Sequence, residues 1–97
     1  MIFEWDEEKN RSNIRKHGFD FADAEEMFRG VLITRLDTRD NYGEERWIGI
    51  GLIQGRVAFV AFSQPSPETI RILSLRKASQ EERKEYEKAF EDGLGTS

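Results

Sequence analysis

The chain has 97 residues, with 15 Lys and Arg against 19 Asp and Glu, and a formal net charge of −4. This length predicts a single domain over residues 1–97 with a modest core, and the charge excludes a surface that is basic throughout. With no cysteine, one histidine and no apolar run near the roughly 20 residues of a membrane span, the sequence argues against a disulfide framework, a His/Cys metal centre and a membrane protein.

The first third of the chain predicts a short strand and two helices. Residues 2–5 alternate weakly between apolar and polar side chains, as in a strand. Asp6 is a suitable N-cap for a helix that runs to Lys16. Asp20 caps a second, short helix whose apolar residues recur at helical spacing, and Gly30 ends it.

Four strand-like runs follow, and we expect them to pair as a four-stranded antiparallel meander. They are residues 31–36, 46–53, 56–62 and 69–75. Glycines at 49 and 51 indicate a bulge or a close approach of another part of the chain. Gln54 and Gly55 form a two-residue hairpin turn, whereas residues 63–68, which hold both prolines, predict a loop.

The C-terminal part predicts one more helix. Ser79 and Glu82 have the spacing of a capping box, and the helix runs to about Phe90. Residues 92–97 should fray. A short strand, two helices, a meander sheet and a final helix make an α+β fold.

Charge is distributed unevenly along the chain. The net charge is −4 over residues 1–28, +3 over residues 29–78 and −3 over residues 79–97. The basic middle segment contains all four predicted meander strands. This asymmetry predicts an anionic partner at the sheet and a cationic partner at the helices.

The last predicted strand carries most of the candidate cations. By simple alternation, one face would carry residues 70, 72, 74 and 76, and the other would carry residues 71, 73, 75 and 77. One interpretation is that Arg71 and Arg76 clamp a phosphate with their planar guanidinium groups, and that Lys77 adds charge near the start of the last helix. The alternative is that these cations form surface ion pairs with the many glutamates.

Four further residues have the side chains that acid–base or phosphate chemistry needs. His17 is the default general acid or base because imidazole titrates near neutral pH; alternatively, it interacts with the last carbonyls of its helix. Lys16 has the same two interpretations. Glu45 and Arg46 are a candidate general base and phosphate ligand, or else a cross-strand ion pair.

In order and spacing, these motifs resemble the BrnT family of bacterial toxins over residues 3 to about 86. The matching residues are Phe3, Trp5-Asp6, Lys9, Asn13, Lys16-His17-Gly18, Phe21, Ala24, Phe28, Glu45-Arg46, Ile70-Arg71-Ile72-Leu73-Ser74, Arg76-Lys77-Ala78-Ser79, Glu82-Arg83 and Tyr86. The chain departs from the family pattern at Glu7, where the family usually has proline, and at Leu75, where it usually has alanine. Neither departure removes a charged group.

The resemblance implies a cytoplasmic ribonuclease toxin of a type II toxin–antitoxin pair with a fold similar to RelE. It implies an RNA substrate and a BrnA-like antitoxin, a small DNA-binding protein whose complex with the toxin represses their operon. No cofactor is implied. By matching position, the candidate functional residues are Lys16, His17, Glu45, Arg46, Arg71, Arg76 and Lys77.

For the ribonuclease activity that the resemblance implies, our hypothesis is RNA cleavage without a metal ion. The ribose 2′-OH attacks the adjacent phosphate, so the protein positions the chain, stabilises negative charge and manages protons. Arg71 and Arg76 are the first choice for charge stabilisation, Lys77 and Arg46 the second, while His17 or Glu45 transfers the proton. The alternative is a non-catalytic protein- or nucleic-acid-binding module that acts as a co-repressor.

Overall fold

The computed structural model describes residues 1–91, and the prediction that residues 92–97 fray lies outside them. The α+β class is confirmed. The elements are β1 Ile2–Glu4, α1 Glu7–His17, a 3₁₀ turn Phe21–Asp23 leading into α2 Ala24–Arg29, β2 Ile33–Leu36, β3 Trp47–Ile53, β4 Arg56–Ser66, β5 Thr69–Lys77 and α3 Gln80–Ala89. No helix within the described residues is long and apolar enough to cross a membrane.

The sheet has five strands rather than the predicted four, and it is mixed rather than antiparallel. The strand order is β1-β5-β4-β3-β2. Strands β2 to β5 pair antiparallel with their neighbours, but β1 adds to the outer side of β5 in parallel. A three-residue strand gives too short a sequence pattern to show that it joins the sheet. The first and last strands of the chain are therefore neighbours at this edge.

The fourth strand extends beyond its predicted end. Residues 63–66, predicted as part of a loop, continue β4, with Ser63 opposite Arg71 and Ser66 opposite Thr69. The register is irregular between these two pairs, and Pro65 lies in that interval. Proline is tolerated there because a bulge does not require its missing N–H in the ladder.

Helix α1 is attached to the sheet by polar side chains. Asp6 caps it by accepting hydrogen bonds from the backbone N–H groups of Glu8 and Lys9. Ile14, the one apolar residue of α1, is 40% exposed, whereas Asn13 is buried. The Asn13 side-chain amide forms hydrogen bonds with both the N–H and the C=O of Leu75. It thereby satisfies backbone groups of β5 that lie beyond the end of β1.

Apolar clusters lie on both faces of the sheet. The face under α1 and α2, here called the helix face, carries the main core: Phe19, Phe21, Ala24, Met27, Ile53, Ala58, Val60, Phe62, Ile70, Ile72 and Leu75. The other face, here called the second face, carries a small cluster of Ile48, Phe59 and Ala61, with Leu73 packed against it.

A β-bulge in β5 changes the predicted assignment of side chains to faces. Ala61 pairs with Ser74, but the next residue, Phe62, pairs with Ile72. Leu73 is the extra residue on β5, because two residues of one strand oppose one of its neighbour at a bulge. Simple alternation therefore fails beyond this point.

The bulge places two predicted cations on the same face. Arg76 pairs with Phe59, and Arg71 pairs with Ser63. Both partners point to the second face, since they alternate with the core residues of β4. The prediction that Arg71 and Arg76 lie on opposite faces was wrong, and so was the prediction that Leu75 shares a face with Arg71.

The expected close approach at the β3 glycines is confirmed, and it has a measurable consequence. A Cβ atom on Gly49 would lie 3.0 Å from side-chain atoms of both Leu32 and Val60. We expect Gly49→Ala to lower the free energy of unfolding by about 1–3 kcal/mol, as overpacking usually does. Urea denaturation measures this. Gly30→Ala is the control, since its nearest neighbour is 3.8 Å away and we expect little change.

Candidate functional site

Three of the predicted cations lie on the second face. Arg71 and Arg76 reach it because of the bulge in β5. Arg46 directly precedes Trp47, whose side chain packs against the helix-face core, so strand alternation continued by one residue beyond β3 puts the Arg46 side chain on the second face. Three guanidinium groups thus share one surface of a hydrogen-bonded sheet.

Arg76 is held firmly in this surface. Its guanidinium carbon lies 3.8 Å from the ring centroid of Phe59, a cation–π contact. Its two terminal nitrogens donate to the two carboxylate oxygens of Glu82 at 2.9 and 3.0 Å. Burial alone would raise the pKa of Glu82, but hydrogen bonds from Arg76 and the Ser79 amide outweigh it and the pKa is lowered. Glu82 also completes the capping box of α3, which confirms that prediction.

Arg71 forms a more exposed ion pair, at the rim of a cleft. Its Nε and Nη2 both donate to one oxygen of Glu4, at 2.7 and 2.6 Å, and both side chains are more than 40% exposed. The cleft beside it has a volume of about 590 Å³. Its walls include Glu44, Glu45, Trp47, Ser63, Gln64 and Pro65.

Two buried polar atoms on the second face lack partners. Within residues 1–91, the Nε of Arg46 and the hydroxyl of Ser63 make no hydrogen bond. Buried polar groups in native proteins are normally satisfied, and an exception indicates a water, an ion or a ligand. Because Ser63 lies between Arg46 and Arg71 across the strands, the unsatisfied groups mark this part of the face as a place for an anion.

The β2–β3 loop adds a further arginine to the second face. The buried carboxylate of Asp37 accepts two hydrogen bonds from the Arg39 guanidinium, both 2.8 Å, and one from the Tyr42 hydroxyl at 3.3 Å. The Arg39 Cζ lies 5.9 Å from the Phe59 ring centroid. The Arg46 Cζ lies 4.1 Å from the Tyr42 ring centroid. Asp37 therefore orients a loop whose Arg39 contacts the Phe59 ring and whose Tyr42 ring contacts Arg46.

This arrangement predicts an acid-sensitive stability. Hydrogen bonds from Arg39 hold the pKa of Asp37 at about 2, against the opposing effect of burial. A lowered carboxyl pKa stabilises the folded state above the unfolded value of about 4, and the stabilisation is lost as pH falls toward 2. We expect the free energy of unfolding to fall less between pH 4 and pH 2 in Asp37→Asn than in the native protein. Urea denaturation across this range tests it, and equal slopes would contradict the assignment.

Lys16 and His17 lie together beside the bulge. Both are exposed at the end of α1, and they line a cleft of about 240 Å³ that includes Leu73 and Ser74 of β5. Asn13 fixes their position, since it bonds α1 to β5. The imidazole therefore lies beside the strand that carries Arg71 and Arg76, in a cleft other than the one at Arg71.

The two remaining predicted residues, Glu45 and Lys77, lie in different parts of the structure. Glu45 lines the Arg71 cleft and also the surface around Arg46, with which it makes no ion pair among the described residues. Lys77 pairs with Ala58, on the helix face, and lines a cleft with Arg56. The structure brings Glu45 to the second-face cations and leaves Lys77 apart from them.

Several contributors to the site were not predicted. Glu4, Asp37 and Arg39 determine how the cations are held, and Ser63 supplies an unsatisfied hydroxyl. The two-residue spacing of Asp37 and Arg39 was the available signal for that ion pair. Within residues 1–91, no three His, Cys, Asp or Glu side chains form a group able to hold a metal ion.

Comparisons with known proteins agree with this arrangement of elements. Residues 5–82 match the family model described as ribonuclease toxin, BrnT, of type II toxin–antitoxin system. The crystal structure of the Brucella abortus ribonuclease toxin BrnT is similar, with a TM-score of 0.63 and 32% identity, over 82% of this chain and 100% of that one. No protein of curated function matches the chain. The chain therefore belongs to the BrnT family of ribonuclease toxins of type II toxin–antitoxin systems.

Proposed function

We propose that this protein is an endoribonuclease that cleaves RNA without a metal ion and uses the second face of its sheet. The ribose 2′-OH attacks the adjacent phosphorus, the bond to the 5′ oxygen breaks, and the products are a 2′,3′-cyclic phosphate and a 5′-hydroxyl. The RNA supplies its own nucleophile, so the protein needs to supply charge stabilisation and proton transfer. The observation that carries the proposal is the placement of Arg46, Arg71 and Arg76 on one face.

The arginines have different roles in this scheme. Arg71 stabilises the charge that develops on phosphate, because its exposed pairing with Glu4 is weak enough for substrate to replace. Arg46 approaches the same phosphate from the next strand but one. Arg76 binds a neighbouring phosphate and holds the RNA in register. Its guanidinium group is fixed by two hydrogen bonds to Glu82 and by the Phe59 ring. Lys77 is the weakest candidate because it lines a different cleft.

Proton transfer is assigned to Glu45 or His17. Glu45 lines the same cleft as Arg71, which favours it as the base that takes the 2′-OH proton. His17, with Lys16, lies beside the bulge and is the candidate acid for the 5′ oxygen of the leaving group. This division requires the Glu45 and His17 clefts to meet at a single phosphate when RNA is bound, because the attacking 2′ oxygen and the leaving 5′ oxygen are attached to the same phosphorus atom.

The partners of the protein follow from the same proposal. A BrnA-like antitoxin neutralises the toxin, and the complex binds operator DNA through the antitoxin. In the cytoplasm, the free toxin inhibits translation and growth by cutting RNA. A fold relationship to RelE stays a prediction.

Cleavage of a defined RNA by the purified protein tests the proposal. We expect activity to persist in excess EDTA and the 5′ fragment to end in a 2′,3′-cyclic phosphate, identified by mass spectrometry. Loss of cleavage in EDTA, with recovery on adding a divalent cation, would contradict metal independence. Cleavage that persists undiminished in Arg46→Gln/Arg71→Gln would contradict the assignment of the site.

The ion pairs of Arg71 and Arg76 favour a second candidate, a non-catalytic co-repressor module. In that case the arginines are structural and no proton-transferring group is needed. We expect Glu45→Gln and His17→Gln to lower cleavage about 100-fold or more while RNA binding is retained. A module that only binds would show no cleavage before or after either substitution.

A further inference from the structure

We propose that the cleft at the Arg71 end of the sheet binds the base of the nucleotide whose phosphate contacts Arg71, and that Glu44 selects guanine there. This inference rests on the proposed ribonuclease function and names a substrate preference for the same site. The two ends of this cleft differ in chemistry, and a nucleotide matches both.

One end of the cleft is built for an anion. Arg71 presents five N–H donors, of which Glu4 occupies two with a single oxygen atom. Ser63 is the cross-strand neighbour of Arg71, and only 4% of it is exposed. Ser63 lines the same cleft, and its buried hydroxyl has no partner within residues 1–91. A phosphate oxygen between these two side chains would satisfy both.

The other end of the cleft is acidic. Glu44 and Glu45 are exposed and, among the described residues, make no ion pair or side-chain hydrogen bond. An inorganic phosphate would be repelled by them. A nucleotide avoids this conflict because it has an anionic phosphate at one end and hydrogen-bond donors on its base at the other. Since Glu45 is assigned to proton transfer, Glu44 is the carboxylate available to the base.

The walls between the two ends suit a flat ring. Trp47 and Pro65 line the cleft, and Trp47 is half-buried against the core, which fixes its indole. Unpaired bases stack on aromatic side chains without regard to sequence, so the wall provides affinity and the acidic end provides discrimination.

Guanine is the base whose edge fits a carboxylate best. Its N1–H and N2–H point the same way and can donate to the two oxygens of Glu44 together. Adenine and cytosine offer only an amino group on that edge, and uracil offers one N–H between two carbonyl oxygens that a carboxylate repels. A bidentate contact of this kind discriminates between bases by about 10- to 100-fold.

Binding of uncleavable oligonucleotides tests the inference separately from catalysis. Labelled 2′-O-methyl hexauridylates, in which one central residue is replaced by G, inosine, A or C, are titrated at constant salt by fluorescence anisotropy. We expect the G oligonucleotide to bind at least 10-fold more tightly than the A or U oligonucleotide. Inosine, which lacks the N2 amino group, should lose much of this advantage.

Three variants locate the effect within the cleft. Glu44→Gln should remove the preference for G without weakening the binding of uridylate, because it removes a negative charge from the cleft. Ser63→Ala should weaken all oligonucleotides by a similar factor and keep the preference. Glu81→Gln, an exposed acidic position on α3, is the matched control and should change neither property.

The outcomes separate this inference from the proposed function. Equal affinity for all four bases, together with RNA cleavage, overturns the guanine site and leaves the ribonuclease proposal standing. A G preference that persists in Glu44→Gln overturns the assignment to Glu44. Failure to bind any oligonucleotide, together with failure to cleave RNA, overturns both.

Discussion

Arg71→Gln should lower the rate constant of RNA cleavage about 100-fold or more while leaving the fold intact. Removing one donor that stabilises transition-state charge commonly costs 10²–10³ in kcat. The accompanying loss of the ion pair with Glu4 is small, since both side chains are more than 40% exposed and such pairs contribute about 1 kcal/mol or less. Single-turnover cleavage of a defined RNA gives the rate, and thermal unfolding gives the stability.

The matched control for this prediction is Arg29→Gln. Arg29 also makes an exposed ion pair, with Glu25 on α2, so the substitution changes charge and pairing in the same way. We expect near-native cleavage from it. If Arg71→Gln cleaves at the rate of this control, Arg71 does not stabilise the transition state.

Asn13→Ala should be among the most destabilising polar-to-alanine substitutions in the chain. Its side chain donates to the carbonyls of Leu75, at 2.7 Å, and Phe19, at 3.0 Å, and accepts from the Leu75 N–H at 3.2 Å. Alanine would leave three backbone groups without partners, and each unsatisfied buried group costs about 1–3 kcal/mol. We expect a loss of about 2–4 kcal/mol in the free energy of unfolding, measured by urea denaturation.

A comparison with Asn41→Ala separates this effect from a general one of losing an amide. Asn41 is exposed and accepts a single local hydrogen bond from the Gly43 N–H at 3.2 Å, so we expect a change below about 1 kcal/mol. Equal destabilisation by the two substitutions would contradict the role given to Asn13. Because Asn13 also positions Lys16 and His17, cleavage by Asn13→Ala should be impaired even where the protein stays folded.

Local signals in the sequence predicted the local structure well. The capping box of α3 and the Asp6 N-cap of α1 are present, because each depends on residues within three positions of one another. The hairpin turn at Gln54 and Gly55 has positive φ at both residues, as that turn requires. These features are determined mainly by short-range sterics and hydrogen bonding, which a single sequence displays.

Long-range features of the fold were not predictable in the same way. The parallel pairing of β1 with β5 joins residues 67 positions apart and leaves no local mark. The bulge at Leu73 also lacks a signal, because neither glycine nor proline marks it. It decides which face Arg76 occupies, so alternation alone assigned that side chain wrongly.

The same limit explains what could be predicted of the candidate site. Residue type identified the cations, and resemblance to a family selected seven candidates. Neither could show that Glu4 and Glu82 pair with two of them, or that Lys77 lines another cleft. Ser63 was not predicted because its distinguishing feature is a buried hydroxyl without a hydrogen-bond partner among residues 1–91. A sequence alone does not show this.

The parallel pairing of β1 with β5 has a consequence for when the toxin becomes harmful. The first strand cannot find its partner until the ribosome has released the segment around residue 71, and the principal cations lie in that late segment too. A polypeptide terminated before β5 would lack both the partner strand of β1 and those cations. Contacts so distant along the chain also slow folding, so the newly made toxin should pass through an interval in which an antitoxin can meet it before it acts.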